Sequence, residues 1–173
     1  MATVGRYPYV LAIYPNSRGF GFVVLERQLA PVDWGVREVY GKAKNRDCLN
    51  RISALIQRYQ PELILLRSTS GAEDTRVERI RTLNREIGSL AESRSIATAF
   101  YSRWQVRAYF RHFEAFTKQQ IALVIAQHIP AFERLVPRIR RPWMSEDARM
   151  GIFDATMLAF RHFHELALRQ DKG

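Results

Sequence analysis

The chain has 173 residues, 47% hydrophobic and 25% charged, so it can bury one sizeable core and predicts a single domain over residues 1–173. Its apolar runs are far shorter than the roughly 20 residues that span a bilayer, and Cys48 is the lone cysteine, which excludes a membrane span and an internal disulfide. The net charge is +10, and 23 of the 27 basic residues are Arg, the side chain best suited to binding phosphate. These features, with no apolar leader at the start, predict a cytoplasmic protein that binds nucleic acid.

The first part of the chain predicts three antiparallel strands. Residues 10–14, 20–26 and 35–40 are rich in aromatic and β-branched residues and are separated by turn residues. The Pro15-Asn16-Ser17 turn joins the first two strands. Three strands that follow one another in sequence predict a meander.

Helices and strands alternate in the middle of the chain. Residues 48–59 carry apolar side chains at helical spacing, and the apolar run 62–66 is typical of a strand buried on both faces. Residues 72–95 predict a long amphipathic helix entered through Ser70 and Gly71, with Glu73 and Asp74 near its positive end, and residues 96–101 a fifth strand. A helix that returns to a parallel strand explains this order.

Further helices are predicted over residues 117–128 and 146–168. Ser145 is a candidate N-cap, which places Glu146 and Asp147 in the first turn, where acidic residues favour the helix dipole. Prolines confine the basic run 138–141 to a connection between helices.

Four segments, in this order, resemble the RuvC-like Holliday junction resolvases of the ribonuclease H-like superfamily: residues 11–21, 61–67, 117–127 and 150–160. The resemblance implies an α/β fold with a mixed five-stranded sheet, three antiparallel strands followed by parallel ones, and helices on both faces. It also implies a homodimer supported by the long helix, and branched DNA as a partner.

Resolvases of this kind hold two Mg²⁺ ions with about four carboxylates. On the matching positions of this chain, Tyr14 replaces the first aspartate, Arg67 the glutamate, and Gly151 the first acid of the last helix, whereas Asp154 matches the second. A phenol is a poor ligand for a hard cation, and a guanidinium repels one. The resemblance therefore predicts a degenerate metal site in which Asp154 is a remnant.

The replacements suggest a pairing hypothesis. Asp154 lies among apolar residues of its helix, so we expect Arg67 to pair with it and Tyr14 to donate a hydroxyl hydrogen bond to it. Asp147 is an alternative acid, but seven residues of helix separate it from Asp154 by about 10 Å. The competing interpretation treats Tyr14 as core, Arg67 as a phosphate contact and Asp154 as an ordinary helix acid near Arg161.

Basic residues mixed with aromatic ones mark candidate contacts to nucleic acid, because such mixtures both grip phosphates and stack on bases. The alternative is that the aromatic residues belong to the core and the arginines to a solvated surface. His162 and His164 lack the spacing of a helical zinc pair. The candidate contacts are Arg103, Arg107, Arg111, Lys118, Arg138, Arg140 and Arg141.

The sequence thus predicts a catalytically inactive RuvC-like domain that binds branched or duplex DNA and needs no cofactor. One alternative is an active endonuclease in which Asp154 and Asp147 hold Mg²⁺. The other is an architectural subunit whose basic surface and hairpin edge meet a protein partner.

Overall fold

The computed structural model describes residues 9–69 and 77–173. Within these two ranges, five strands form one sheet: β1 (Val10–Asn16), β2 (Gly19–Arg27), β3 (Ala30–Glu38), β4 (Leu63–Arg67) and β5 (Ala97–Tyr101). Their order across the sheet is β3-β2-β1-β4-β5. The first three strands pair antiparallel, and β4 and β5 continue the sheet in parallel with β1. This is the mixed ribonuclease H-like sheet that the sequence predicts, so the predicted fold class is confirmed.

The helices are α1 (Lys44–Tyr59), α2 (Glu78–Ser93), α3 (Arg103–Phe110), α4 (Lys118–His128) and α5 (Met150–Gln170). Short 3₁₀ turns lie at Arg111–Phe113 and Pro130–Leu135. No helix within residues 9–69 and 77–173 is long and apolar enough to cross a lipid bilayer.

Alternating side chains divide the sheet into two cores, as the period of two residues in a strand requires. On one face, side chains such as Leu11 and Ile13 pack against α1 and α2. On the other face, Ala12 and Leu65 pack against α3, α4 and α5. Every residue of α5 from Met150 to Phe160 is buried, because this helix lies between the sheet and two other helices.

A pair of glycines allows α5 to lie against the first hairpin. A Cβ atom on Gly21 would lie 2.0 Å from the carbonyl oxygen of Gly151. The backbones of β2 and α5 therefore touch at this point, which brings the first turns of α5 next to the end of β1.

Several predicted boundaries are wrong. Strand β3 runs over Ala30–Glu38 instead of 35–40, because Trp34 and Asp33 pair with Val23 and Val24 of β2. Helix α5 begins at Met150 instead of at residue 146. The predicted entry to the long helix at Ser70 and Gly71, with Glu73 and Asp74, lies outside the described residues, and the homodimer assigned to that helix stays a prediction.

Helix α3 was not predicted, although its start signal is visible in the sequence. The hydroxyl of Ser102 accepts a hydrogen bond from the amide of Gln105 at 3.1 Å, and the Gln105 side chain accepts one from the amide of Ser102 at 2.8 Å. This reciprocal capping box is the Ser-x-x-Gln pattern. Its consequence for the site is that Arg103 and Arg107 lie on a helix next to the end of β5.

Candidate nucleic-acid interface

Four elements place their ends at one edge of the sheet. Tyr14 lies near the end of β1, Arg67 ends β4, Asp154 lies in the second turn of α5, and Lys118 is the first residue of α4. Because β1 and β4 are parallel, with Ile13 opposite Leu66, their carboxyl ends meet at the same edge. The structure thus brings together residues far apart in sequence.

Asp154 is the buried acid of this edge, with only 8% of its side chain exposed. The Lys118 ammonium lies 3.5 Å from Asp154 Oδ2 and 2.8 Å from Glu146 Oε1. One ammonium therefore bridges two carboxylates, only one of which is buried.

The fold fixes Lys118 through the start of α4. The Thr117 hydroxyl accepts a hydrogen bond from the amide of Gln120 at 3.1 Å, and the Gln120 side chain accepts from the amide of Thr117 at the same distance. A lysine in the first turn of a helix is unfavourable for the helix dipole. The two carboxylates compensate for this position.

Burial raises the pKa of Asp154 to about 6, although Lys118 opposes the rise, and Glu146 raises it further. Burial disfavours the charged form of Lys118, but the attraction of Asp154 and the hydrogen bond to Glu146 outweigh it, so the Lys118 pKa lies above its ordinary value. Burial, followed by the nearby Asp154, also raises the pKa of Tyr14. The site at neutral pH therefore contains a charged ammonium and a neutral phenol.

The expected pairing of Asp154 with Arg67 and Tyr14 is wrong within the described residues. The Arg67 guanidinium lies 4.9 Å from the centre of the Tyr14 ring and donates to the carbonyl of Pro15 at 3.4 Å. Its charge still lowers the Asp154 pKa from a distance. Lys118, which sequence reasoning assigned to phosphate, is the cation that contacts the acid, because the capped end of α4 reaches the carboxylate and Arg67 is held over an aromatic ring.

Asn84, on helix α2, holds the backbone of Arg67 in place. Its side-chain amide donates to the carbonyl of Arg67 at 2.9 Å, while its own oxygen is buried and has no hydrogen-bond partner among the described residues. The end of β4 is therefore attached to α2 by a buried polar contact, a residue role that the sequence pattern of α2 did not reveal.

Glu146 and Asp147 do not form a helical turn, contrary to the prediction, because α5 begins at Met150 with no side-chain cap from Ser145. Asp147 accepts a hydrogen bond from the amide of Arg149 at 2.9 Å and pairs with its guanidinium at 2.7 Å. These contacts lower the pKa of Asp147. Asp147 therefore stabilises the loop that precedes α5, where its carboxylate is paired with the Arg149 guanidinium.

A cleft opens above these residues, with a more open polar part and a more enclosed apolar part. We call it the central cleft. An outer groove continues from it past Arg138 and Arg140. The predicted site residues that line the central cleft are Tyr14, Arg67, Arg103, Arg107, Lys118, Asp147, Gly151 and Asp154.

The arginines of the central cleft and outer groove carry uncompensated charge. In the described part of the chain, Arg103, Arg107, Arg138 and Arg140 form no ion pair, whereas the acids of the cleft are paired with Lys118 and Arg149. Arg111 and Arg141 lie outside these cavities, and Arg141 instead covers the ring of Trp143 at 5.6 Å. The cleft therefore favours a polyanion.

The side chains of the central cleft do not fit a pair of magnesium ions. Magnesium binds through oxygen ligands, mainly carboxylates, at close distance. Here the buried carboxylate of Asp154 already contacts the Lys118 ammonium, and the positively charged Arg67 guanidinium also lines the cleft. Across the described residues, no group of three or more His, Cys, Asp or Glu is arranged to hold a metal ion.

Comparison with known proteins gives similarity in structure alone. No protein-family model matches the chain, and no curated protein sequence matches it. RuvC from Thermus thermophilus is similar in structure, with a TM-score of 0.66 and 16% identity over 92% of this chain and 96% of that one. The same protein in complex with a Holliday junction substrate gives a TM-score of 0.67 and 15% identity, over 93% and 96% of the chains.

The yeast mitochondrial Holliday junction resolvase Ydc2 is also similar, with a TM-score of 0.58 and 12% identity, over 92% of this chain and 79% of that one. Identities this low establish the fold without establishing an activity. The chain therefore has the fold of the RuvC-type Holliday junction resolvases.

Proposed function

We propose that this chain is a RuvC-like domain that binds branched or duplex DNA in the central cleft and does not cleave it with metal ions. The observation that carries the proposal is the bridging ammonium: Lys118 lies between Asp154 and Glu146, at distances of 3.5 and 2.8 Å. A positive charge thus already contacts the acid at the position where resolvases hold a metal ligand. A metal ion would have to displace this ammonium to bind Asp154.

The charge distribution supports nucleic acid as the ligand. Arg103 and Arg107 project from one helix into the cleft, and Arg138 and Arg140 line the outer groove. A guanidinium binds phosphate through two parallel hydrogen bonds, so these arginines, which form no ion pair with the residues that the structure describes, suit a phosphate backbone. One similar RuvC structure is a complex with a Holliday junction substrate, which makes branched DNA the first substrate to test.

The competing function, a metal-dependent endonuclease, would need Asp147 and Asp154 to share an ion. Asp147 is held by Arg149 at 2.7 Å, and Asp154 faces Lys118. Both acids would have to exchange an ion pair for a metal. The geometry therefore favours binding over cleavage.

The test measures DNA affinity as a function of salt. We expect the Arg103→Gln and Arg107→Gln variants each to weaken binding about tenfold, because each removes a charged hydrogen bond to phosphate. Each should also reduce the slope of log K against log salt by about 1. Arg51→Gln is the matched control, because Arg51 is exposed on α1, on the opposite face of the sheet. Equal affinities for both cleft variants, the control and the unmodified protein would contradict the proposal.

A further inference from the structure

The more enclosed part of the central cleft ends on buried apolar side chains. Its floor is formed by Val106, Ile121, Met157 and Leu158, each at most 7% exposed. All four belong to the core between the sheet and helices α3, α4 and α5, so the core closes the far side of the cavity. A strand of nucleic acid that enters this part therefore has to end there.

The enclosed part is also small, with a cavity volume of about 40 Å³. One water molecule needs about 10–15 Å³ of such space, so the cavity holds about three atoms of that size. The three free oxygens of a terminal phosphate are a group of this size. A nucleobase is too large for it.

The side chains that line both parts of the cleft form what we call the neck. Lys118 is held there by two acids, Asp154 and Glu146. Around the neck and the enclosed part, four cations face these two acids, an excess of two positive charges. A phosphate monoester above its second pKa of about 6 carries close to two negative charges. The neck residues are Tyr14, Arg67, Arg103, Lys118 and Asp154, and Arg107 is the fourth cation, inside the enclosed part.

Tyr14 supplies a hydrogen-bond donor at the neck. Burial, followed by the nearby Asp154, raises the pKa of Tyr14, so the phenol keeps its proton at neutral pH. The charges of Arg67, Lys118 and Arg103 all lower this pKa in turn, which shows that three cations surround the hydroxyl. Within the residues that the structure describes, the hydroxyl forms no hydrogen bond. A neutral donor among cations suits an anion with several acceptor oxygens.

We propose that the neck binds the terminal phosphate of a nucleic-acid strand, with the Tyr14 hydroxyl as a donor to it. The cations of Arg67, Arg103 and Lys118 neutralise this monoester. An internal phosphate is a diester with a single negative charge and with chain on both sides, so it matches neither the charge of the neck nor the closed floor. This inference rests on the proposed function, because the cleft arginines have to hold the rest of the strand.

The experiment compares two DNA hairpins of one sequence, one with a phosphate on each of its two ends and one with hydroxyl groups there. A dye in the hairpin loop reports binding of the full chain by fluorescence anisotropy. We expect the phosphates to raise the affinity about tenfold, the effect of one added hydrogen bond to a charged group. Methyl phosphate should compete with the phosphorylated hairpin, whereas dimethyl phosphate at the same ionic strength should not.

Two variants locate the effect. Tyr14→Phe removes the hydroxyl and keeps the ring that lies under Arg67 at 4.9 Å. It should reduce the preference for the phosphorylated hairpin to about twofold or less and leave affinity for the hydroxyl hairpin within about twofold. Arg138→Gln is the matched control: Arg138 lines the outer groove and neither part of the central cleft, so this variant should weaken both hairpins alike and keep the preference. Thermal unfolding checks that both variants fold.

The outcomes separate this inference from the proposed function. Equal binding of the two hairpins, or a full preference in Tyr14→Phe, refutes terminal-phosphate binding at the neck while DNA binding stands. If methyl phosphate binds but the hairpins bind equally, the site takes a free monoester and the inference about strand ends is again refuted. If the unmodified protein binds neither hairpin at low salt, the proposed function itself is refuted, and the inference fails with it.

Discussion

Replacing Asp154 with Asn should stabilise the protein at neutral pH. The pKa of this buried carboxyl is about 6 against an ordinary value of 3.8, and the value of about 6 already includes the attraction of Lys118. A carboxyl with a raised folded-state pKa binds its proton more tightly in the folded state, so its ionisation costs stability above pH 6. At 1.36 kcal/mol for each pKa unit, the cost is about 3 kcal/mol, which an uncharged amide avoids.

The assay is urea unfolding followed by circular dichroism at about pH 7.5 and about pH 4.5, where a change of this size shifts the midpoint by roughly 1–2 M. The unmodified protein should gain stability from Asp154 as the pH falls from about 6 toward 3.8, so the two proteins should converge at the lower pH. Asp147→Asn is the control. Arg149 lowers the pKa of Asp147, so the ionised Asp147 carboxylate stabilises the folded protein at pH values above its ordinary pKa of 3.8. This stabilisation is lost only as the pH falls below that value. If Asp154→Asn instead unfolds at lower urea at about pH 7.5, the ion pair with Lys118 outweighs the burial cost and the reasoning is refuted.

Further predictions concern the packing and the charges of the site. Gly21→Ala should lower the free energy of unfolding by about 2–3 kcal/mol, because its Cβ atom would overlap the Gly151 carbonyl. Gly151→Ala should change the free energy of unfolding by less than about 1 kcal/mol. Thermal unfolding of both variants tests this contact, and similar losses of stability in the two would contradict it. Lys118→Met should move the titration midpoint of the Asp154 carboxyl above about 6, because the attraction of the ammonium that lowers this pKa is removed. An unchanged midpoint in a carbon-13 NMR titration would show that the ammonium does not act on this acid.

The order of the strands, and of the helices apart from α3, could be predicted from the sequence because it depends on local patterns. Aromatic and β-branched residues between turn residues mark β1 and β2, and the apolar run at β4 marks a strand buried on both faces. The resemblance of four short segments then selects one arrangement of these elements. Boundaries were less predictable: β3 is half-buried along its length and has no clear alternation, so only its C-terminal part was recognised.

The partner of Asp154 could not be predicted from the sequence. Arg67 and Lys118 both reach the edge where Asp154 lies, and sequence alone does not tell which cation meets the acid. The choice depends on side-chain reach: the capped start of α4 holds Lys118 against the carboxylate, whereas the Tyr14 ring holds Arg67 away from it. Glu146 can reach Lys118 because α5 begins at Met150 and leaves residue 146 in the preceding loop. The apolar periodicity of the helix does not fix this starting point, which lies about one turn after the predicted one.

The most direct test of the account is to incubate the purified protein with a labelled four-way junction and a matched duplex, with and without Mg²⁺ or Mn²⁺, and to measure binding and strand cleavage together. The account predicts salt-sensitive binding of the junction that is the same with and without metal, and no cleaved strand under conditions in which an active resolvase cleaves the same junction. Metal-dependent cleavage that disappears in the Asp154→Asn variant would contradict it, because it would show that the acid facing Lys118 serves as a metal ligand.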